Sequence, residues 1–435
     1  MIRVSTSMIF NAGVKAINTQ TATLLHLQQQ VASGRRILTP ADDPVGAARA
    51  LEVTQAQDVT AQYSINHDNA KSALGLEEVQ LTSVNNIMAR LKELTVQAGN
   101  STLSASDRRG IAFELRARFD EFLGIANATD GTGQFIFSGY MGSTKPFGAS
   151  VDAMISNPAL EVDYQGDDGQ RRLQVSPTRF LEISDSGNDV FNRIKTGNGY
   201  FATDYAALNT GTGVIDTGNV INPATWNAAT TKNVAIQFTV TAGITTYDLV
   251  DTVSNNSLLT DPPGPAPAPL ASQRTFQSGQ PIVLSQVGPP AFDLGASVTI
   301  TGNPAAGDSF SLAPSTSQSL FRTLANLIGA LEGGTVGPGS QAKFANEIGF
   351  ALTNLDQAND NILRVRAAIG SRLSEVDSLS DVNQDLQLQY QQTLSNLQDL
   401  DYAKAISDLT RKQTDLEAAQ KSFMRVSQLS LFNYL

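Results

Sequence analysis

The chain of 435 residues is long for one hydrophobic core and suggests two or three folding units. Its 41% hydrophobic and 16% charged residues are a globular composition, and a formal charge of −11 argues against a general nucleic-acid binder or docking on anionic lipid, since both need basic surface. Cysteine is absent, which removes disulfides, thiolate metal sites and cysteine nucleophiles together.

A first helix is predicted from about Ser7 to Ser33, with a narrow apolar stripe at Ile17, Leu24, Leu27 and Val31 flanked by Gln and Thr. So narrow a stripe buries too little area to be stable alone and calls for a partner helix. Gly34 reads as the C-terminal stop. The stretch "LTPADDPVGA" (Leu38 to Ala47) then raises the question of whether Asp42–Asp43 is an acidic site. Proline is welcome at the first helical position, and the residue before it is held extended. Asp43 therefore reads as the N-cap of a helix that Pro44 begins. Residues 34–43 become a joint between helices, with Gly34, Asp42, Asp43 and Pro44 as its key positions.

No proline occurs from Val45 to Lys145. Leu76, Val84, Ile87, Leu91 and Leu94 share one helical face, and Ile111, Leu115, Phe119, Phe122 and Ala126 share another. From Phe201 to Leu320 the composition shifts: no Glu, two basic residues (Lys232 and Arg274) and 11 of the 17 prolines. Such a shift marks a separate domain. "NVAIQFTV" alternates Val234, Ile236, Phe238 and Val240 on one face, and a turn at Gly243 leads into "TAGITTYDLV", a hairpin pattern. Two further hairpins are expected, in "LEVDYQGDDGQRRLQV" with its turn at Gly166 to Gly169, and in "SVTITGNPAAGDSFSL". The run "DPPGPAPAP" (Asp261 to Pro269) is expected as an exposed, extended loop.

The last stretch, from Gly339 on, holds three glycines and no proline. Near the end, Tyr402, Ile406, Leu409, Leu416, Ala419, Phe423 and Val426 form a heptad-like seam that continues to Leu429 and Phe432. This is the natural partner for the first helix. The fold class is α+β and multidomain: a long helical, coiled-coil-like bundle from both chain ends with an inserted antiparallel β domain.

Chemistry is sparse. No phosphate loop of the Walker type and no nucleophile elbow occur, and "GTGQFIFSG" follows a helix rather than a strand. His26 and His67 lack metal-ligand spacing and are expected at the surface or in interfaces. "QGDDGQ" lacks the calcium loop's terminal Glu. The pairs Arg35–Arg36, Arg108–Arg109 and Arg171–Arg172 suit partner contacts or solvated faces. No catalytic, cofactor or metal residues are expected, and no enzyme.

Two helical ends, a variable middle, no cysteine and few aromatics resemble the flagellin superfamily. "VASGRRILTPADDPVGAARA" is similar to that family's N-terminal signature. "RVSTSMIFN", Pro44 after the double Asp, "GQFIFSGYMGSTKPF" (Gly133 to Phe147), "GNPAAGDSF" (Gly302 to Phe310) and the ending "LSLFNYL" resemble its hook-associated junction branch more than its filament subunits. The resemblance implies a structural component of the bacterial flagellum, joining hook to filament by coiled-coil pairing of its terminal helices. Those helices, 1–43 and 401–435, would be an assembly core, disordered in the free monomer. Residues 44–147 and 320–400 would form a helical bundle, and 148–319 an outer β-rich domain. The implied partners are further copies in a ring, a neighbouring hook-associated protein, flagellin, and an export chaperone on the C-terminal helix, with no nucleic acid and no membrane insertion. The implied location is extracellular, reached through the flagellar channel without a cleaved signal, where sequence alone reads as cytoplasmic. Expected assembly residues are Leu24, Leu27, Val31, Ile406, Leu409, Leu416, Phe423, Val426, Leu429 and Phe432. Rival readings are a filament subunit and a surface adhesin or carbohydrate-active β-domain protein.

Overall fold

The computed structural model describes residues 6–333 and 337–428. Helices α1 (Thr6–Ser33), α2 (Pro44–Ala98) and α3 (Ala105–Ala126) come first. Helices α6 (Leu320–Glu332), α7 (Pro338–Gln398) and α8 (Tyr402–Gln428) come last. Between them lie the strands and two short helices, α4 (Val151–Ser156) and α5 (Pro223–Ala228). The order helices, strands, helices is the α+β architecture that the composition shift implies. No helix among the described residues is long and apolar enough to cross a membrane. The described residues fall into two compact units: parts of 1–68, 175–177 and 376–435 in one, and parts of 69–174 and 178–375 in the other.

In the first unit, α1 packs against α8. The threonine-rich run of α1 is tolerated because Thr19, Thr21 and Thr23 each donate a hydroxyl to the carbonyl four residues earlier, at 2.9 Å. Asn383 of α7 donates to Thr60 O at 2.8 Å and to Ser64 Oγ at 2.7 Å, a buried polar tie to α2.

In the second unit, α3 starts at a capping box, Ser104 with Asp107. It buries Ile111, Leu115, Phe119, Phe122 and Ala126, the face predicted from its periodicity. Phe122 meets Phe321 of α6 with ring centroids 4.6 Å apart and Phe191 at 5.2 Å. Each such ring contributes about 2–3 kcal/mol by burial alone.

The strands form a two-sheet sandwich. One sheet holds β6 (Phe201–Tyr205), β9 (Val234–Thr241), β10 (Ile244–Asp251), β11 (Asn256–Ser257), β12 (Arg274–Thr275) and β15 (Ser309–Pro314). The other holds β7 (Val214–Ile215), β8 (Asn219–Val220), β13 (Pro281–Gln286) and β14 (Phe292–Thr301). Their inner faces share one core, including Phe201, Trp226, Ile236, Phe238, Val298 and Phe310. The β9–β10 hairpin forms as expected, with Ala242 and Gly243 at φ 52° and 82° in its two-residue turn.

Two local expectations are corrected and a third is sharpened. Residues 160–175 do not make a hairpin: β2 (Asp163–Tyr164) pairs with β1 (Phe147–Gly148), and β3 (Arg172–Ser176) with β4 (Arg179–Glu182). Tyr164 fixes the intervening loop, its hydroxyl lying 3.0 Å from Phe137 O and 2.9 Å from Asp167 O. Residues 297–312 are also not a hairpin, because β14 and β15 belong to opposite sheets. Asp308 shapes that crossover by accepting from the N–H groups of Thr210, Gly211 and Ala305. The proline-rich run is exposed at its prolines, as expected, but it is tied down to the sheet. Asp248, fully buried, accepts from Ala268 N at 2.7 Å and Ser257 Oγ at 2.6 Å, and Ser257 N donates to Gly264 O at 2.8 Å. The loop folds back on β10 and β11 with its prolines outward.

Candidate assembly interface

The joint between α1 and α2 is built from its own carboxylates. Gly34, at φ +71°, closes α1 by donating its N–H to Gln30 O at 2.9 Å. Asp42 Oδ2 accepts from Leu38 N at 3.0 Å and Thr39 N at 2.8 Å, and Oδ1 lies 3.0 Å from His26 Nε2. The Thr39 and Leu38 N–H groups and His26 together hold the Asp42 carboxyl below its ordinary range. Asp43 Oδ1 accepts from Gly46 N at 2.9 Å, the geometry of an N-cap, and Pro44 begins α2.

This joint is laced to a second one, between α7 and α8. Arg36 N donates to Gln398 O at 2.7 Å, Leu400 N to Gly34 O at 3.0 Å, and Arg36 Nη2 to Leu397 O at 2.7 Å. Residues 398–400 were absent from the sequence reading, because nothing local marks the backbone of a chain segment as another segment's partner.

On α1 the half-buried positions include Gly13, Ile17, Gln20, Leu24, Leu27 and Val31, and on α8 Leu409, Lys412, Leu416, Ala419 and Phe423, with Ala405 buried. Both series run at heptad spacing. Phe423 packs on Phe10, with centroids 5.2 Å apart, and over Gly13. Of the sequence-derived residues, Leu24, Leu27, Val31, Leu409, Leu416 and Phe423 thus lie along the facing stripes. Ile406 and Val426 do not: they are 52% and 49% exposed. Leu429 and Phe432 lie outside the described residues. Ile9, Phe10 and Met424 add to the half-exposed apolar surface. Gly13, Gln20, Ala405 and Lys412 were missed. A glycine inside a helix, which costs about 1 kcal/mol against alanine, was the available signal for the first.

The other singled-out residues serve the fold. His67 is buried rather than at the surface, its Nε2 2.7 Å from Val175 O. Arg108 lies over the Phe344 ring at 5.3 Å, Arg171 reaches Gln134 Oε1 at 3.1 Å, and Arg172 reaches Glu182 at 2.8 Å. A buried acid also escaped the sequence reading. Glu77 of α2 is fully buried, its Oε1 accepting from Asp185 N at 3.2 Å. Its Oε2 finds no hydrogen-bond partner among the described residues. Asp185 is held by both Arg372 guanidinium nitrogens, at 2.9 and 3.0 Å. Burial, reinforced by the Asp185 carboxylate, pushes the Glu77 carboxyl well above its ordinary range, with Arg372 and Arg171 opposing.

Comparison with known proteins matches residues 4–141 to the bacterial flagellin N-terminal helical region. The flagellar hook-associated protein 3 of Salmonella typhimurium is 24% identical over 431 residues, covering 99% of both chains. The crystal structure of flagellar hook associated protein-3 from Legionella pneumophila superposes with a TM-score of 0.70 at 29% identity, covering 79% of this chain and 98% of that one. The flagellar filament 41 kDa core protein of Borreliella burgdorferi is 32% identical, but over only 28% of this chain and 38% of its own length.

Proposed function

We propose that this chain is a member of the flagellin superfamily, on its hook-associated protein 3 branch, and a structural subunit of the junction between hook and filament in the bacterial flagellum. The observation that carries this reading is the full-length match to hook-associated protein 3, 99% of both chains. The likeness to filament proteins, by contrast, covers 28% of this chain for the Borreliella burgdorferi core protein and 48% for the flagellin of Salmonella paratyphi A.

The mechanism we infer is non-enzymatic. The α1–α8 pair is joined by narrow stripes and leaves Ile9, Phe10, Ile406, Met424 and Val426 about half exposed. Such a pair is marginal alone and is completed when neighbouring subunits cover that surface, which couples ordering to assembly. The neighbours on this reading are further copies in a ring, an adjoining hook-associated protein and flagellin. Before export through the flagellar channel, a chaperone would shield the C-terminal helix. The terminal helices would form the assembly core.

Deleting residues 402–435 tests it. Antibody labelling of intact flagella should place the full chain at the boundary of hook and filament and find no truncated chain there, while the truncated protein keeps a folded β sandwich. Label spread along the filament, or incorporation of the truncated chain, would overturn the proposal.

A further inference from the structure

The heptad stripe does not by itself choose a register. Sliding α8 by one heptad along α1 would set Leu416, in place of Leu409, against Leu27, and the apolar match would survive. The joint's hydrogen bonds, from Leu400 N to Gly34 O and from Arg36 N to Gln398 O, pin one end of the pair, and two features along the helices match the same register. An ideal Cβ on Gly13 would lie 2.5 Å from the Phe423 ring, and one on Gly34 would lie 2.8 Å from the Tyr402 hydroxyl. In both pairs the residue numbers sum to 436, so the two contacts belong to one antiparallel register, three heptads apart. The same register sets Ile17 level with Ala419, Gln20 with Leu416, Leu24 with Lys412, Leu27 with Leu409 and Val31 with Ala405, and each of these positions is half-buried or buried.

Gly13 is the only glycine in α1, and Tyr402 and Phe423 are the only aromatic residues in α8. One register therefore sets the Phe423 ring on Gly13 and the hydroxyl tip of Tyr402, a residue 51% exposed, against Gly34. A slip of one heptad in one direction drives Phe423 onto Gln20, whose Oε1 is already buried and without a hydrogen-bond partner among the described residues. The opposite slip drives Tyr402 onto Leu27. Either creates overpacking where the native register has a socket.

We propose that Gly13 and Gly34 are sockets for Phe423 and Tyr402, and that these two keys set the register of the terminal helix pair. They thereby align the half-exposed apolar residues of both helices into one assembly surface. The consequence for assembly rests on the function proposed above, whereas the register itself is measurable in the purified chain.

The absence of cysteine makes disulfide trapping a direct reading of register in the full-length protein. Leu27→Cys with Leu409→Cys reports the native register, and Leu27→Cys with Leu416→Cys the slipped one. The ratio of the two yields is independent of how much of the pair is formed. In the otherwise native chain the ratio should exceed about fivefold, the discrimination expected from the lower end of overpacking costs. Replacing both rings by Phe423→Leu and Tyr402→Leu keeps good helix formers and an apolar seam, and should bring the ratio to within about threefold. An unchanged ratio would mean that the hydrogen bonds of the joint alone hold the register, and would overturn the proposal, as would a native ratio near one. The second variant is Gly13→Ala. Alanine is the better helix former, so a purely helical role predicts more trapping between Ile17→Cys and Ala419→Cys. The socket predicts about tenfold less. A yield that holds or rises refutes it.

Discussion

Replacing Glu77 by glutamine should reshape the pH dependence of stability. The carboxyl is fully buried, one oxygen is unpaired among the described residues, and the charge that acts on it most strongly is another acid, Asp185, already engaged by Arg372. Burial first, and Asp185 second, raise its pKa well above the ordinary 4.5. The sign follows from linkage: the folded chain holds a proton here that the unfolded chain has released. Stability from the protonated group is complete below about 4.5 and is lost as pH rises to the folded-state value, at about 1.4 kcal/mol per pH unit. Glutamine keeps the acceptor for Asp185 N–H and carries no titrating proton. In urea unfolding followed by the helical dichroism signal, Glu77→Gln and the parent should be close near pH 4.5. Above it the variant should gain about 1.4 kcal/mol per unit relative to the parent. Other carboxylates are common to both chains and cancel in the difference. Parallel stability profiles from about pH 5 to about pH 8 would show that Glu77 is ionised in the folded chain, and the reasoning would fail.

Asp43→Ala should lower the thermal stability of the joint end of α2 by about 1 kcal/mol, the loss of one N-cap bond to Gly46 N, with hydrogen exchange rising at the first turn of α2. Asp248→Asn keeps the shape but weakens the paired acceptor for Ser257 Oγ and Ala268 N. It should cost about 1–3 kcal/mol and open residues 258–269 to limited proteolysis, while an unchanged cleavage pattern would mean that the loop is held by its prolines.

Much of the helical architecture was legible because its signal is local. The face Ile111, Leu115, Phe119, Phe122 and Ala126 repeats at the helical period, and those residues, with Ala112, are the ones buried. The β9–β10 hairpin was legible for the same reason: a two-residue turn at Ala242 and Gly243 lies between two alternating runs. What failed was long-range. The glycines of residues 166–169 and 302–307 announce a change of direction, but a turn does not say which strand its neighbours will join. Asp163–Tyr164 finds Phe147–Gly148, and Ser309–Pro314 finds Val234–Thr241 and Phe201–Tyr205. Asp248 shows the same limit from the polar side. Prolines mark a loop as excluded from a sheet interior, yet the carboxylate that folds this loop down lies ten or more residues upstream and is indistinguishable in sequence from a solvated acid.

At the interface the division is sharper. Asp-Pro after Gly34 contains the logic of a helix stop and restart, so Asp43 could be assigned to an N-cap from ten residues of sequence, whereas the bonds of Asp42 to Leu38 N and Thr39 N could not. The seam could be found but not phased. Tyr402, Ile406, Leu409 and Val426 fit an apolar helical stripe equally well on paper, whereas in the fold Leu409 faces α1 and Ile406 is half exposed. A heptad identifies a stripe without saying which of two adjoining apolar edges is covered by the chain's own partner helix. That choice depends on steric detail, on which side offers a glycine to a ring. Gly13 and Gly34 stand 21 residues apart, as do Tyr402 and Phe423. Matched spacing of sockets and rings on two segments that must pair is a readable signal, but only once the antiparallel partner is known, because neither spacing means anything alone.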